Sequence, residues 1–400
     1  MATLRNQFPA LVSGLAGAYL DNAATTQIAT PVLSAMAAYE TGGRANVKRG
    51  IYPLAVAATQ EYEDARTSVA RYLGAGDANE LVFTSGATSA INLVAHSFGA
   101  GLSAMDEIIV GAGEHHANIV PWQMLRTRAG VVLKVLPVDD EGYPDLDELK
   151  SLIGPRTKLI AITHASNVTG AVTDVRAVCA VAHEHGVPVL VDGAQMAAHG
   201  PIDVAALGCD FYIVTGHKMY GPTGIGALWA RSSLLTEMPP FLGGGEMIRR
   251  VTFEQTTYAP PPHRFEAGTP PITQAIGLGV AADWLLGQDW TAIQCEERNL
   301  MRGLMDRLAE RPRVRLIGPG DNGRRVPILS FAVDGAHPHD LCELMGSKGV
   351  SLRGGHHCAQ PLVERMGVDA TTRASIGLYN TQADIDAFAA ALDHALEVLA

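Results

Sequence analysis

The sequence predicts an α/β protein in which a large, mostly parallel sheet is covered on both faces and a smaller α+β region follows. Three observations lead there. Over residues 60–230, short runs rich in Val and Ile alternate with segments of helical apolar spacing, as in strands buried on both faces and joined by helices. A proline-rich stretch at 258–262 interrupts that alternation. Beyond it come a long helical region, a strong strand and a terminal helix.

Taken in order, residues 61–73 space their apolar side chains as a helix does, and 80–83 read as a short strand. A helix is predicted at 88–98 and a strand at 107–110. Strands at 131–135, 159–163, 187–191 and 211–214 continue the series, with a helix at 177–185 among them. After the proline-rich boundary the pattern predicts one helical region over 274–308, a strand at 328–333 and a helix from about residue 384. The expected division is a large domain over 17–258 and a small domain made of 1–16 and 259–400. Parallel sheets bind ligands beyond the carboxyl ends of their strands, and the polar clusters of this sequence fall there.

Composition narrows the function classes. A chain of 400 residues, 47% hydrophobic and 18% charged, builds a large core and is too apolar to be disordered. A net charge of −11 without a cluster of Lys and Arg argues against a nucleic-acid partner, whose binding needs such clusters. No uncharged apolar run reaches the ~20 residues of a membrane-spanning helix. The apolar segment at 8–20 is broken by Pro9, Gly14 and Gly17 and preceded by one positive side chain, Arg5, a poor secretion signal. Five cysteines, odd in number and without CxxC spacing, disfavour a disulfide framework or a metal site and fit a reducing cytoplasm. Cys179, Cys209, Cys295 and Cys342 lie in apolar or helix-like surroundings and are expected to be buried and inert.

Two groups at strand ends carry the strongest chemical signal: Val191-Asp192-Gly193-Ala194-Gln195 and Thr215-Gly216-His217-Lys218-Met219-Tyr220. A lysine after a small polar turn, with an acidic side chain where a neighbouring strand opens, is the pair that pyridoxal 5'-phosphate requires. The lysine bonds the cofactor, and the acid keeps its ring nitrogen protonated. Ser85-Gly86-Ala87-Thr88 lies between a strand and a helix start, where backbone N–H groups can hold a phosphate. In Glu114-His115-His116-Ala117-Asn118 an imidazole is placed to stack on a ring or carry a proton.

The block Arg353-Gly354-Gly355-His356-His357-Cys358-Ala359-Gln360-Pro361 sets a cysteine beside two histidines and an arginine. Such surroundings favour a thiolate, and the two glycines are expected to make the loop mobile. Fifteen residues on, Arg373 offers the forked guanidinium suited to a carboxylate.

Together these blocks resemble the group II cysteine desulfurases, the Suf-type and cysteine-sulfinate-desulfinase branch of the class V aminotransferases. The likeness runs from Tyr19-Leu20-Asp21-Asn22-Ala23-Ala24-Thr25 to Leu378-Tyr379-Asn380-Thr381, through Ser166-Asn167-Val168, Gly243-Gly244-Gly245 and Glu266-Ala267-Gly268-Thr269-Pro270. The resemblance implies fold type I of the pyridoxal-phosphate enzymes, a homodimer and release of alanine from L-cysteine, with selenocysteine and cysteine sulfinate as alternative substrates. Sulfur would pass to Cys358 as a persulfide and then to an acceptor protein, for iron–sulfur cluster assembly or other delivery.

By the same resemblance Lys218 bonds the cofactor, Asp192 pairs with its ring nitrogen, Gln195 bonds its phenolic oxygen and His115 stacks on the ring. Thr88, Thr215 and His217 bind the phosphate, and Thr269 reaches the phosphate of the neighbouring subunit. Asn167, Arg373 and Arg353 line the substrate site. The phosphate turn reads Ser85-Gly86-Ala87-Thr88-Ser89 where the branch often has Arg-Gly-Thr-Thr-Glu, and Lys48 stands in place of a family histidine.

Overall fold

A computed structural model describes residues 2–320 and 324–400; Met1 and residues 321–323, which fall in the expected small domain, lie outside the described residues. The large sheet has seven strands: β1 (Leu81–Thr84), β2 (Glu107–Gly111), β3 (Val132–Leu136), β4 (Thr157–Thr163), β5 (Val189–Asp192), β6 (Phe211–Thr215) and β7 (Gly226–Ala230), in the order β1-β7-β6-β5-β4-β2-β3. The pairs among β2 to β6 are all parallel, as the sequence predicts. Strand β7 is an addition: it runs antiparallel to both β1 and β6. A Cβ on Gly226 would stand 2.7 Å from the Cα of Gly86, so only glycine lets β7 pass beneath the turn that follows β1.

Seven helices carry the rest of the description: α1 (Thr30–Gly42), α2 (Pro53–Tyr72), α3 (Ala87–Ser97), α4 (Ile272–Leu286), α5 (Trp290–Ala309), α6 (Pro338–Ser347) and α7 (Gln382–Val398). The helical region expected over 274–308 is two helices, because Gly287 ends α4 and the Asp289 side chain accepts the Ala292 N–H to start α5. Apolar periodicity alone shows only a brief interruption there. Helix α2 begins eight residues earlier than its predicted start, with Pro53 in its first turn.

Two of the apolar cores bear on the parts that carry the site. In the first, α4 packs Ala275, Leu278, Ala281 and Leu285 with Tyr62 and Val69 of α2 and with Tyr212 and Val214 of β6; Phe8 and Leu11 of the N-terminal segment join the same core. Close approach of α4 to α2 depends on Gly279, where a Cβ would lie 2.6 Å from that of Ala65. The second core holds Leu20, Leu304, Phe331, Ala374, Phe388 and Leu392, under an antiparallel sheet of β8 (Val314–Ile317), β9 (Ile328–Val333), β10 (Arg353–Gly355) and β11 (Thr371–Ser375) ordered β8-β9-β11-β10. Residues Ala18–Tyr19 pair with Val350–Ser351 on this side. Burial of each large apolar side chain contributes roughly 1.5–3 kcal/mol, so both cores are substantial.

The cysteines differ in part from expectation. Cys179 and Cys209 are buried, but Cys342 is half-buried and Cys295 is exposed on α5, on a helix face that the apolar neighbours of the sequence do not distinguish. No helix among the described residues is long and apolar enough to cross a membrane.

Candidate active site

The carboxyl ends of β4, β5 and β6 open into a cleft of about 590 Å³ that is closed on its far side by β10, β11 and the turn at Cys358. Eleven of the twelve residues singled out from sequence line it: His115, Thr88, Asn167, Asp192, Gln195, Thr215, His217, Lys218, Arg353, Cys358 and Arg373. Thr269 does not. It lines a separate pocket with Glu40, Asn46 and Pro270.

Asp192 is the last residue of β5 and is 6% exposed. One hydrogen bond reaches its carboxylate, from the Ala194 N–H at 3.0 Å. Burial raises its pKa, opposed by that bond and by the Lys218 charge. Gly193 turns the chain away over the Tyr212 ring, where a Cβ would lie 2.2 Å from a ring carbon. Lys218 ends the short 3-10 turn Gly216–Lys218 after β6. Among the described residues its amine has no hydrogen-bond partner, and burial pulls it down to about 8 although Asp192 acts in the opposite direction. A buried carboxylate and the amine of a half-buried lysine, each short of partners, suit a charged ring that bonds both.

The turn after β1 makes the anion end of the cleft. Gly86 has φ +147°, and helix α3 begins directly after it without a side-chain cap, so its first N–H groups face the cleft mouth. Thr215 Oγ1 would lie 3.6 Å from a Cβ on Gly86, which places its hydroxyl against the same turn. The backbone carbonyl of His217 accepts from Thr26 N–H at 2.9 Å and from the Thr25 and Thr26 hydroxyls at 3.1 Å each. The Gln195 amide donates to the Ala23 carbonyl at 2.9 Å.

His115 accepts the Ala117 N–H on Nδ1 at 3.0 Å, which puts the proton of the neutral ring on Nε2. Burial, then the Lys218 charge, lowers its pKa to about 4, so it is uncharged at neutral pH. The next residue reaches across the cleft: His116 N–H donates to the Cys358 carbonyl at 2.6 Å, and His116 Nε2 accepts the Gln360 N–H at 3.1 Å. Asn167, expected at the substrate site, donates its side-chain amide to the His357 carbonyl at 2.6 Å. Three bonds from the large-sheet side therefore hold the Cys358 turn.

That turn is a built feature rather than a slack loop. His357 and Cys358 have φ +53° and +57°, two consecutive left-handed residues that are not glycine. His357 is buried and its Nε2 lies 2.8 Å from Thr371 Oγ1. The two glycines expected to give mobility lie in strand β10, paired with Thr372 and Thr371 of β11. A Cβ on Gly354 would meet the Pro338 carbonyl at 2.9 Å, so glycine there permits packing against α6. The Cys358 side chain itself is exposed, and Lys218, Arg353 and Arg373 all lie within electrostatic reach of it.

Arg373 on β11 is 2% exposed; its Nη1 donates to the Asn167 carbonyl at 2.9 Å and its Nη2 to Asp21 at 3.2 Å, while Nε is buried without a partner. Asp21 also binds Arg353, at 2.9 Å from Nη2. Sequence reasoning did not assign Asp21 a role; an acidic side chain in the apolar run Ala18-Tyr19-Leu20-Asp21-Asn22-Ala23 was the available signal. It also passed over Glu114, which is buried, accepts from Asn118 at 2.6 Å and Thr163 N–H at 2.7 Å, and is raised by burial to about 8. Among the described residues no three His, Cys, Asp or Glu side chains gather as a metal site would need.

Lys48, the departure from the family pattern, has a partner here. Its amine lies 3.4 Å from Glu266, a buried carboxylate that also accepts from Arg66 at 2.6 and 3.0 Å, from Tyr62 at 3.1 Å and from Phe83 N–H at 2.9 Å. Glu266 thereby joins β1, just before the anion turn, to the segment that carries Thr269.

Comparison with known proteins agrees with this architecture. The aminotransferase class-V family matches residues 18–388. A probable cysteine desulfurase of Xylella fastidiosa is 46% identical over 393 residues, covering 97% of this chain and 94% of that protein. A cysteine desulfurase of Salmonella gallinarum is 45% identical over 394 residues, covering 97% and 96%. The crystal structure of the cysteine desulfurase CsdA from Escherichia coli is similar at a TM-score of 0.93 and 42% identity, covering 100% of this chain and 99% of that one. The chain belongs to the aminotransferase class-V family, and within it to the cysteine desulfurases.

Proposed function

We infer that this enzyme holds pyridoxal 5'-phosphate between Lys218 and Asp192 and transfers sulfur from L-cysteine to Cys358, releasing L-alanine. The observation that carries this reading is the meeting, in one cleft, of Lys218 and Asp192 from the large sheet with Cys358 and Arg373 from the small one. The residues fit the cofactor: a buried carboxylate with one hydrogen bond, an amine without a partner, and an uncapped helix start behind Gly86. When bound, pyridoxal phosphate supplies an electron sink that makes the Cβ–sulfur bond of cysteine breakable.

The chain's own groups do the rest. Asp192 would hold a proton on the ring nitrogen. Gln195 would bond the phenolic oxygen, and neutral His115 would stack on the ring. Thr88, Thr215 and His217 would take the phosphate with the N–H groups of α3. Arg373 grips the substrate carboxylate, helped by Asn167 and Arg353. The Lys218 amine would bond the cofactor and, when free, would take up the Cα proton of the substrate, a task that its lowered pKa suits. The Cys358 thiolate attacks the substrate sulfur; a sulfur–sulfur bond forms as the carbon–sulfur bond breaks, and the departing electron pair stays with the three-carbon fragment, which takes up protons to leave as alanine.

Two further parts of the reading concern assembly. Thr269 lies outside its own chain's cleft, and Ile51, Tyr52, Leu54 and Val56 expose apolar side chains close together in sequence; both support a homodimer in which Thr269 reaches the partner's phosphate. Exposure of Cys358 supports hand-off of the persulfide to an acceptor protein. The test is to incubate the holoenzyme with L-cysteine and measure alanine together with the mass of the Cys358 peptide. Alanine without an added sulfur on Cys358, or full activity in Cys358→Ala, would show the nucleophile to be assigned wrongly.

A further inference from the structure

Glu114 comes directly before His115 and is 2% exposed. Each of its carboxylate oxygens receives one hydrogen bond. Oε1 accepts the Thr163 N–H at 2.7 Å, and Oε2 accepts the Asn118 side-chain amide at 2.6 Å. Neither donor can be turned round. The Thr163 group is a main-chain N–H, and Asn118 keeps its Oδ1 toward Trp122, whose indole N–H reaches it at 3.0 Å and can only donate. Position 114 must therefore offer two acceptors, which glutamate does and glutamine does not. Burial disfavours the charge on this carboxylate and the two bonds favour it, with no basic side chain among the described groups that act on it. A Cβ on Gly111, at the end of β2, would lie 2.5 Å from Oε1, so glycine there makes room for the carboxylate.

The two bonds lead to different parts of the cleft. On one side the Asn118 N–H bonds the His115 carbonyl at 2.8 Å and closes the turn that carries His115. That turn also holds Cys358, whose carbonyl accepts the His116 N–H. On the other side Thr163 ends β4 and stands opposite Asp192 in the parallel register with β5. The next N–H, that of His164, bonds the Asp192 carbonyl at 2.9 Å. Thr163, His115, Asp192 and Cys358 all line the cleft. We propose that Glu114 is a positioning residue: as a double acceptor it fixes the turn of His115 and His116 against the strand end beside Asp192, and so sets the spacing of imidazole, acid and thiol. This deepens the functional reading given above and rests on its assignment of His115 and Asp192 to the cofactor.

The experiment compares the parent, Glu114→Gln, Asn118→Asp and the double variant. It measures the unfolding midpoint, the dissociation constant for pyridoxal 5'-phosphate by absorbance titration of cofactor-free protein, and the rate of Cys358 alkylation in the cofactor-loaded protein. Glu114→Gln sets an NH2 group against one of the two N–H donors; the dissociation constant is expected to rise about tenfold and alkylation to quicken about threefold. Asn118→Asp sets two carboxylates face to face and should act in the same direction. In the double variant the new amide oxygen accepts the Thr163 N–H, and its NH2 donates to the new carboxylate at position 118. The other oxygen of that carboxylate accepts the Trp122 N–H. Each bond is restored, one with donor and acceptor exchanged, so both quantities should return to within about threefold of the parent. A merely structural Glu114 would lower the unfolding midpoint of the single variants and leave cofactor affinity and alkylation at parent values well below it, which overturns the proposal. A double variant no better than the single ones overturns it too. Where the single variants do not fold, the double variant is read against the parent, and tenfold weaker cofactor binding is the overturning result. A parent that gains no bound-cofactor absorption would instead sink the functional reading, a distinguishable result.

Discussion

The backbone N–H of His116 is bonded to the carbonyl of Cys358 at 2.6 Å, across the cleft from one sheet system to the other. Its neighbour His115 lines the same cleft, so a single two-residue step fixes both the imidazole proposed to stack on the cofactor and the turn that presents Cys358. The position of the proposed nucleophile is thus tied to the large-sheet side of the cleft and not only to its own strand.

Removal of the side-chain half of this clip should loosen the turn. His116→Ala takes away the acceptor for Gln360 N–H and leaves the backbone bond. A lost hydrogen bond of about 1 kcal/mol corresponds to roughly a fivefold effect. Alkylation of Cys358 is expected to quicken and persulfide formation to slow by about that factor, with partial recovery in His116→Gln. Peptide mass after timed exposure to an alkylating reagent, beside alanine release, checks both.

Lys218 should govern cofactor capture. Its amine must be uncharged to attack the cofactor's carbonyl, and burial sets its pKa at about 8. The rate at which cofactor-free enzyme gains the bound cofactor's absorption should therefore climb as pH rises through about 8 and level off about one unit higher. Lys218→Arg should gain no such band. A midpoint near the ordinary lysine value would contradict the burial argued for this amine.

His115 and His217 are both lowered to about 4, by burial first and then by the Lys218 charge, and His357 is lowered to about 3 by burial and then Arg373. All three should be neutral from about pH 5 upward. Nitrogen shifts of the labelled rings should stay at neutral values across that range, and none of these histidines should produce a limb in the pH–rate profile between about pH 5 and 8.

Stability should depend on Arg66. Burial alone would raise Glu266, but the Arg66 charge, hydrogen bonds and Lys48 outweigh it and hold this carboxyl far below the usual range. Its contribution is therefore present above the ordinary carboxylate value and lost as pH falls below it. Arg66→Met strands the buried carboxylate, a loss of about 3–5 kcal/mol. The paired change Arg66→Met with Glu266→Leu should recover most of that. Denaturant unfolding of the two variants measures the difference, and cofactor affinity should fall with the single change because Glu266 anchors β1 and the Thr269 segment.

Much of the site was legible in the sequence because each of its parts announces itself locally. Asp192 ends an apolar strand, Lys218 follows one after a short turn, Gly86 precedes a helix, and Cys358 stands among basic residues. Strand β7 escaped notice because Gly226-Ala227-Leu228-Trp229-Ala230 lacks the β-branched residues that mark the other strands. The α4–α5 break was hidden because Gly287 and Asp289 interrupt the apolar spacing only briefly. Asp21, Glu114 and the clip at His116 could not be given their partners from local sequence: Asp21 binds Arg353 and Arg373, Glu114 accepts from Thr163 N–H besides nearby Asn118, and His116 N–H bonds the Cys358 carbonyl. Thr269 is a different case, since the function proposed for it lies on another copy of the chain.

The left-handed backbone at Cys358 bears on how this position can evolve. A non-glycine residue held there costs roughly 1–2 kcal/mol relative to glycine, and β-branched side chains are excluded more strongly still. Selection for stability alone would favour glycine or asparagine at φ +57°, and either would remove the thiol proposed to receive sulfur. Stabilising screens of this enzyme should therefore be read with position 358 held fixed.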